Sequence, residues 1–255
     1  MIRIEHICKR FRKLVVLDDI NAEFGKGQVI SLIGPNGSGK TTLIKSILGM
    51  VKPDQGDILV NGQSIAGHAG YREQIGYMPQ IGRYPDNMKI GQLFRMLRHI
   101  RSKPGLQLDL ELFEQFELGK IENKSMRTLS GGTRQKVSAA IAFLFNPAIM
   151  ILDEPTAGLD PLASEILKSK IMLGKQKGKL ILITSHILSD IDELTTHVLY
   201  LQDGKMQFFK PLEILQEETG EIRLGKAIAK IMRGENISGD WINRIMDTNQ
   251  NEKIY

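Results

Sequence analysis

Short runs of apolar, β-rich residues alternate along the chain with longer stretches whose apolar positions recur at helical spacing. That alternation predicts an α/β architecture, parallel strands joined by helical crossovers. Gln28–Ile33 reads as a buried strand; it leads through a glycine-rich turn into a helix over Thr41–Leu48 that stops near Gly49 and Pro53. Ala148–Leu152 reads as a second strand, launched by the Asn146-Pro147 break. Lys179–Thr184 reads as a third, preceded by a helix from about Leu162 to Gln176. Two segments have hairpin character: Asp57–Val60 running into Asn61-Gly62, and Val198–Leu201 running through Asp203-Gly204 towards Phe208. Both suggest an antiparallel layer against the parallel core.

Between Pro85 and Phe145 the strand signal gives way to helical spacing at Ile90, Leu93, Phe94, Leu97 and Ile100, and less regularly at Leu110, Phe113 and Phe116. This stretch, about 85–145, is expected to be a helical insertion. From about Pro211 the pattern predicts one or two helices, Leu212–Glu217 and Ile222–Met232, then a polar tail with too few apolar residues for a core of its own. The expected organisation is one domain over 1–210 and an extension over 211–255.

Of the 255 residues, 42% are apolar and 25% charged, which excludes a wholly disordered or fibrous chain. The net charge of +5 suits a phosphate-bearing ligand or an anionic surface without selecting either. Cys8 is the single cysteine, so no internal disulfide is expected, in keeping with a reducing compartment. The first residues lack a signal-peptide pattern, and no apolar run approaches the roughly 18 residues needed to cross a bilayer.

The chemistry begins at Gly34-Pro35-Asn36-Gly37-Ser38-Gly39-Lys40-Thr41, which fits G-x-x-x-x-G-K-[ST] between a strand and a helix. Glycines let successive backbone N–H groups turn inward on phosphate oxygens, and the helix adds its positive N-terminal end. Lys40 is expected to bridge the β- and γ-phosphates of a nucleoside triphosphate. The Thr41 hydroxyl would complete an Mg²⁺ shell, and Thr42 would donate towards the α-phosphate. A second group follows Ile149–Leu152, where Asp153 and Glu154 leave the carboxyl end of a buried strand, the edge at which open α/β sheets bind ligands. Asp153 is the expected Walker B carboxylate, holding Mg²⁺ through its water shell, and Glu154 can orient and deprotonate an attacking water.

Leu129-Ser130-Gly131-Gly132-Thr133-Arg134-Gln135 opens a helix inside the insertion. A serine hydroxyl, exposed N–H groups at Gly131 and Gly132 and a helix start together make a second anion site. The segment closely resembles the L-S-G-G-x-x-Q signature of ATP-binding-cassette (ABC) ATPases. Further elements resemble that family in order: Gln80 its Gln loop, Ala157-Gly158-Leu159-Asp160 its D-loop, and His186 its switch histidine. Phe11 sits where relatives place an aromatic that stacks on adenine, though it lacks the hydroxyl of the Tyr many of them use. The resemblance covers about Ile2 to Lys210. It implies a P-loop NTPase with a RecA-like core, an antiparallel β subdomain and a helical subdomain, using ATP and Mg²⁺, with Gln80 linking Mg²⁺ and water to the helical insertion.

The resemblance also implies partners. The signature of one chain would face the γ-phosphate held by another, giving a head-to-tail dimer around two ATP molecules. A cytoplasmic subunit at the inner face of the membrane would drive a separate integral-membrane permease. Ile81, Tyr84, Met88, Leu93, Phe94 and Met96 follow Gln80 and are expected to divide between helix core and a permease-docking groove. The competing class is a soluble ABC ATPase acting on nucleic acid or ribosomes; no dense basic stripe with interleaved aromatics supports it. A stand-alone metabolic kinase would have no use for the signature helix. Gly158-Leu159-Asp160-Pro161 resembles ABC-2-type export or maturation systems, and Ile75–Asn87 resembles the ATPase subunit that serves copper-site maturation of nitrous oxide reductase. With one cysteine and five scattered histidines, no copper-binding cluster is expected here.

Overall fold

The computed structural model describes residues 1–101, 105 and 107–233. Its strands, in chain order, are β1 (Ile2–Phe11), β2 (Leu14–Phe24), β3 (Val29–Ile33), β4 (Gln55–Val60), β5 (Gln63–Ser64), β6 (Ile75–Met78), β7 (Ile149–Asp153), β8 (Leu180–Thr184), β9 (His197–Gln202) and β10 (Lys205–Pro211). The helices are α1 (Lys40–Ile47), α2 (Ile90–Ile100), α3 (Glu111–Gln115), α4 (Gly131–Phe143), α5 (Pro161–Gln176), α6 (Leu212–Thr219) and α7 (Leu224–Met232).

The strands form two sheets. An antiparallel sheet runs β2-β1-β4-β5, and a larger sheet runs β10-β9-β3-β8-β7-β6. In the larger sheet β6, β7, β8, β3 and β9 are parallel and β10 closes one edge antiparallel to β9. β3 and β8 are buried along their whole length, which is why both are apolar apart from Ser31 and Thr184 rather than alternating. Successive residues of the parallel strands enter opposite cores. Ile30, Leu32, Ile149 and Ile151 pack with α1 and the antiparallel sheet, whereas Val29, Ile33, Met150 and Leu152 pack with residues of α2, α4 and α5.

One sequence expectation is corrected. The β4–β5 hairpin joins the antiparallel layer as expected, with Asn61 and Gly62 both at positive φ in its two-residue turn. The β9–β10 hairpin does not. β9 pairs with β3 in parallel, from Ile30↔His197 to Ile33↔Tyr200, so this hairpin extends the parallel sheet. Val198, Leu199, Tyr200 and Leu201 are all buried, and that continuous burial suits a strand covered on both faces.

β1, β2 and β6 lie outside the strands expected from the pattern. β1 buries Ile2, Ile4 and then Ile7, switching parity at a register shift where His6 adopts φ 50°. β2 buries Leu17 and Ile20 across a similar irregularity at Asp19, φ 52°.

The helical insertion is tied to the core by α4, which packs on β6 and α3, and by a polar joint. Lys170 of α5 donates to both oxygens of Asp109 (2.8 and 2.6 Å) and to Glu111 of α3 (2.6 Å), with its side chain almost wholly buried. At the other end, α6 and α7 bury Leu212, Leu215, Leu224, Ala227 and Ile228 in the same core as α4 and α5. They borrow the core that their own sequence is too poor to make. The polar tail expected beyond them, residues 234–255, lies outside the described residues. Among those described, no helix is long and apolar enough to cross a membrane.

Candidate functional site

β3 ends at Ile33 and α1 begins at Lys40, so the intervening loop must turn sharply in six residues. Gly39 holds φ 105°, and a Cβ there would stand 2.6 Å from the Val16 carbonyl oxygen and 2.9 Å from a Leu17 methyl. Only glycine fits both the dihedral and the space. The Lys40 side chain turns back over the loop, its Nζ donating to the carbonyls of Gly34 (2.7 Å) and Pro35 (2.9 Å). Burial draws its pKa below the usual lysine value, against the opposing pull of Glu154 and Asp153. The first turn of α1 carries no acidic residue to offset its positive end. The Ser38 Oγ is buried with no protein partner. A buried orphan hydroxyl, a cationic amine and a free helix N-terminus fit a polyphosphate.

Two strands place the acids. Asp153 ends β7, and Thr184, at the end of neighbouring β8, donates its hydroxyl to Asp153 Oδ1 at 2.5 Å. Glu154 follows in a left-handed conformation, φ 52°, and is 8% exposed. Its N–H is shared between the Thr184 carbonyl (3.1 Å) and the Thr184 hydroxyl (3.2 Å). Its carbonyl accepts from Gln135 Nε2 at 3.1 Å. Its carboxylate accepts from the His186 backbone N–H at 3.2 Å and lies 3.4 Å from His186 Nε2.

These groups line one cavity of about 410 Å³ that holds Asn36, Gly37, Ser38, Gly39, Lys40, Thr41, Thr42, Gln80, Asp153, Glu154 and His186 together. Val16 and Thr184 line it as well. Sequence reading missed both, because neither sits in a motif: one belongs to a strand interrupted by bulges and the other ends an apolar run.

Other expected site residues stand elsewhere. Phe11 is 48% exposed at the end of β1, with Lys9 Nζ 5.3 Å from its ring centre. Ser130 caps α4, its Oγ accepting from Thr133 N–H at 3.2 Å, and Gly131 and Gly132 form the first turn. Asp160 caps α5 through Ala163 N–H (2.9 Å) and pairs with Lys136 Nζ (2.6 Å). The Lys136 contact, then the Ala163 N–H, hold its carboxyl below the usual aspartate range. None of these five lines the cavity.

A parallel sheet with a phosphate-type loop at its carboxyl edge, flanked by an antiparallel sheet and a helical insertion, defines a nucleotide-binding cassette. Residues 17–157 match the family described as ABC transporter, and the chain belongs to that family. It is an ATP-binding subunit with ATPase activity. The chain is 29% identical over 225 residues to Nod factor export ATP-binding protein I of Ralstonia nicotianae, an alignment that covers 86% of this chain and 70% of that protein. Its fold matches a solved ATP-binding subunit of an ABC transporter with TM-score 0.83 and 28% identity, over 91% of this chain and 99% of the other. It also matches a dimeric ATP-binding cassette in a post-hydrolysis state bound to ADP and Pi, with TM-score 0.74 and 23% identity, over 83% and 99%.

Proposed function

We propose that this chain hydrolyses ATP as one half of a head-to-tail dimer that drives export through a separate membrane permease. The observation that carries the reading is a division within the chain. The phosphate loop, both acids and His186 line one cavity, while Ser130, Gly131 and Gly132 form a second anion-type helix start that does not reach it. One phosphate chain cannot serve both sites of the same molecule, so the second belongs to the ATP of a partner copy.

In the cavity, the loop backbone, Lys40 and Thr42 hold the phosphates; outside it, the exposed Phe11 gives the adenine a ring to stack on. Thr41, Gln80 and Asp153 would hold Mg²⁺, which when bound neutralises phosphate charge. Glu154 accepts the proton of the attacking water as the water oxygen bonds to the γ-phosphorus and the bond to ADP breaks. His186, packed on the glutamate, faces the same phosphate. From the partner, Ser130 and its two glycines donate to that γ-phosphate, and Asp160 lies along the seam. Loss of the γ-phosphate removes the link between subunits, turning chemistry into motion.

The permease reading rests on exposed apolar side chains that follow Gln80 in the chain. Leu93 is buried, and Tyr84, Met88 and Phe94 pack against the core, whereas Ile81 and Met96 remain exposed. Elsewhere on the surface Leu48, Met50, Ile75 and Tyr77 line a groove of about 440 Å³ with Arg72 and Arg101. A permease seated there would hold the chain at the inner face of the membrane. We take 1–210 as the cassette and 211–255 as its extension. Export is favoured by the similarity to a Nod factor export subunit.

The test is Glu154→Gln in the full chain with ATP and Mg²⁺. ATP binding should persist, turnover should fall roughly 10²–10⁴-fold, and light scattering should show a stable dimer. A variant that stays monomeric in saturating ATP with hydrolysis intact contradicts both the proton acceptor and the sandwich.

A further inference from the structure

The first turns of α4 do more than present the signature. Gly132, Gln135 and Lys136 lie three and four residues apart, so they share one face of the helix. Each meets the segment Glu154–Asp160 of the same chain. A Cβ at Gly132 would stand 2.6 Å from the Gly158 carbonyl oxygen, so the helix abuts that backbone with no room for a side chain. Gln135 Nε2 donates to the Glu154 carbonyl at 3.1 Å, and Lys136 Nζ pairs with Asp160 at 2.6 Å.

Glu154 needs such support. Its left-handed backbone is uncommon for a residue with a side chain and persists only where surrounding contacts impose it. Two elements impose it here. Thr184 of β8 accepts the Glu154 N–H, and Gln135 of α4 donates to the Glu154 carbonyl. The carbonyl also accepts from Ala157 N–H at 3.2 Å, a contact within the segment that cannot by itself anchor it to a neighbour. Gln135 is only 6% exposed, so this amide contact is shielded from competing water.

We infer that Gln135 is a positioning residue for hydrolysis: through the Glu154 carbonyl it fixes the direction of the Glu154 carboxylate, so that the helix carrying the signature also sets the proton acceptor of its own chain. The inference rests on the reading of Glu154 as that acceptor. It gives α4 two outputs, the capped end at Ser130 turned to the partner's ATP and the Gln135 face turned to its own. A shift of α4 when the signature engages would thus move Glu154 within the same subunit. Lys136 holds the far end of the same segment at Asp160, so the segment moves with the helix rather than sliding past it.

The experiment uses the full chain. Gln135→Met keeps length and burial but removes the donor. It should lower kcat roughly 10- to 100-fold, the scale of a misplaced reacting group, while the KM for ATP and the affinity for a non-hydrolysable analogue stay within twofold. Added to Glu154→Gln, Gln135→Met should cause no further loss, because the group it positions is already gone. Gln135→Glu, which sets an acceptor against the carbonyl, should impair turnover at least as much as Gln135→Met. A kcat for Gln135→Met within twofold of the parent, where Glu154→Gln abolishes turnover, overturns the inference and leaves the acceptor reading standing. Full turnover in Glu154→Gln overturns the acceptor reading itself. An equal fall in analogue affinity, kcat and thermal stability in Gln135→Met makes Gln135 a packing residue and also overturns the inference.

Discussion

Replacing Lys170 with methionine puts a number on the joint between the helical insertion and the core. The ammonium donates to Asp109 and Glu111 with its own side chain 7% exposed, Asp109 at 18% and Glu111 at 41%. Methionine fills the volume but leaves two carboxylates facing each other without a cation. Removing one partner from a fully buried ion pair costs about 3–5 kcal/mol; the partial exposure of both acids lets water recover part of that, leaving about 2–3 kcal/mol. For a chain of this length that lowers Tm by about 4–12 °C, readable by calorimetry. The double neutralisation Asp109→Asn, Glu111→Gln in the methionine background should restore most of the loss. The pH dependence has a definite sign. Burial lowers the Lys170 pKa, but the bonds to Asp109 and Glu111 outweigh it, and the net position is above the usual 10.5. A raised folded-state pKa stabilises below 10.5 and fades as pH climbs through the folded value. The gap between parent and Lys170→Met should therefore be full at pH 8 and close only above 10.5. An unchanged Tm at pH 8, or a gap that widens in alkali, would refute the reasoning.

Three further outcomes follow from the site. Lys40→Ala should weaken ATP binding about 10- to 100-fold, the worth of one charged contact to phosphate; calorimetry showing unchanged affinity removes the phosphate-cradle reading. Phe11→Ala should raise the ATP dissociation constant about 5- to 100-fold through lost stacking, yet leave inhibition by inorganic triphosphate unaltered. Loss of both would place Phe11 in the fold rather than under the base. Ser130→Arg in the Glu154→Gln background should abolish the ATP-dependent dimer in light scattering while each chain still binds ATP; a normal dimer would show that the signature serves its own chain alone.

The parts of the fold legible in the sequence were those with unbroken patterns. β3, β7 and β8 are mostly apolar, with Ser31 inside β3 and the polar Asp153 and Thr184 only at the ends of β7 and β8, and α1 and α5 are bounded by their turn and cap residues, so their limits fell within a residue or two of the expected ones. β1 and β2 escaped because backbone irregularities at His6 and Asp19 switch which residues face inward, erasing the period-two signal. β6 escaped because it is four residues long and contains Gly76, which a Cβ would drive against the Ala142 carbonyl. The β9–β10 hairpin announced its turn but not its neighbour, since pairing with β3 spans more than 160 residues of sequence. The cavity shows a similar split. Its loop and acids could be read from spacing, whereas Val16 and Thr184 enter through strand pairing that no local pattern encodes. The left-handed turn at Glu154 and its tie to Gln135 are likewise tertiary facts.

The tight seat of Gly39 against Val16 has a mechanical reading. The antiparallel sheet acts as a backstop for the nucleotide loop, leaving no room for even one added carbon at Gly39. Grafting a foreign β1–β2 ribbon onto this cassette would thus alter how firmly ATP is gripped even if every residue of the loop were kept. Such a graft would tune affinity for the fuel from outside the motif that binds it.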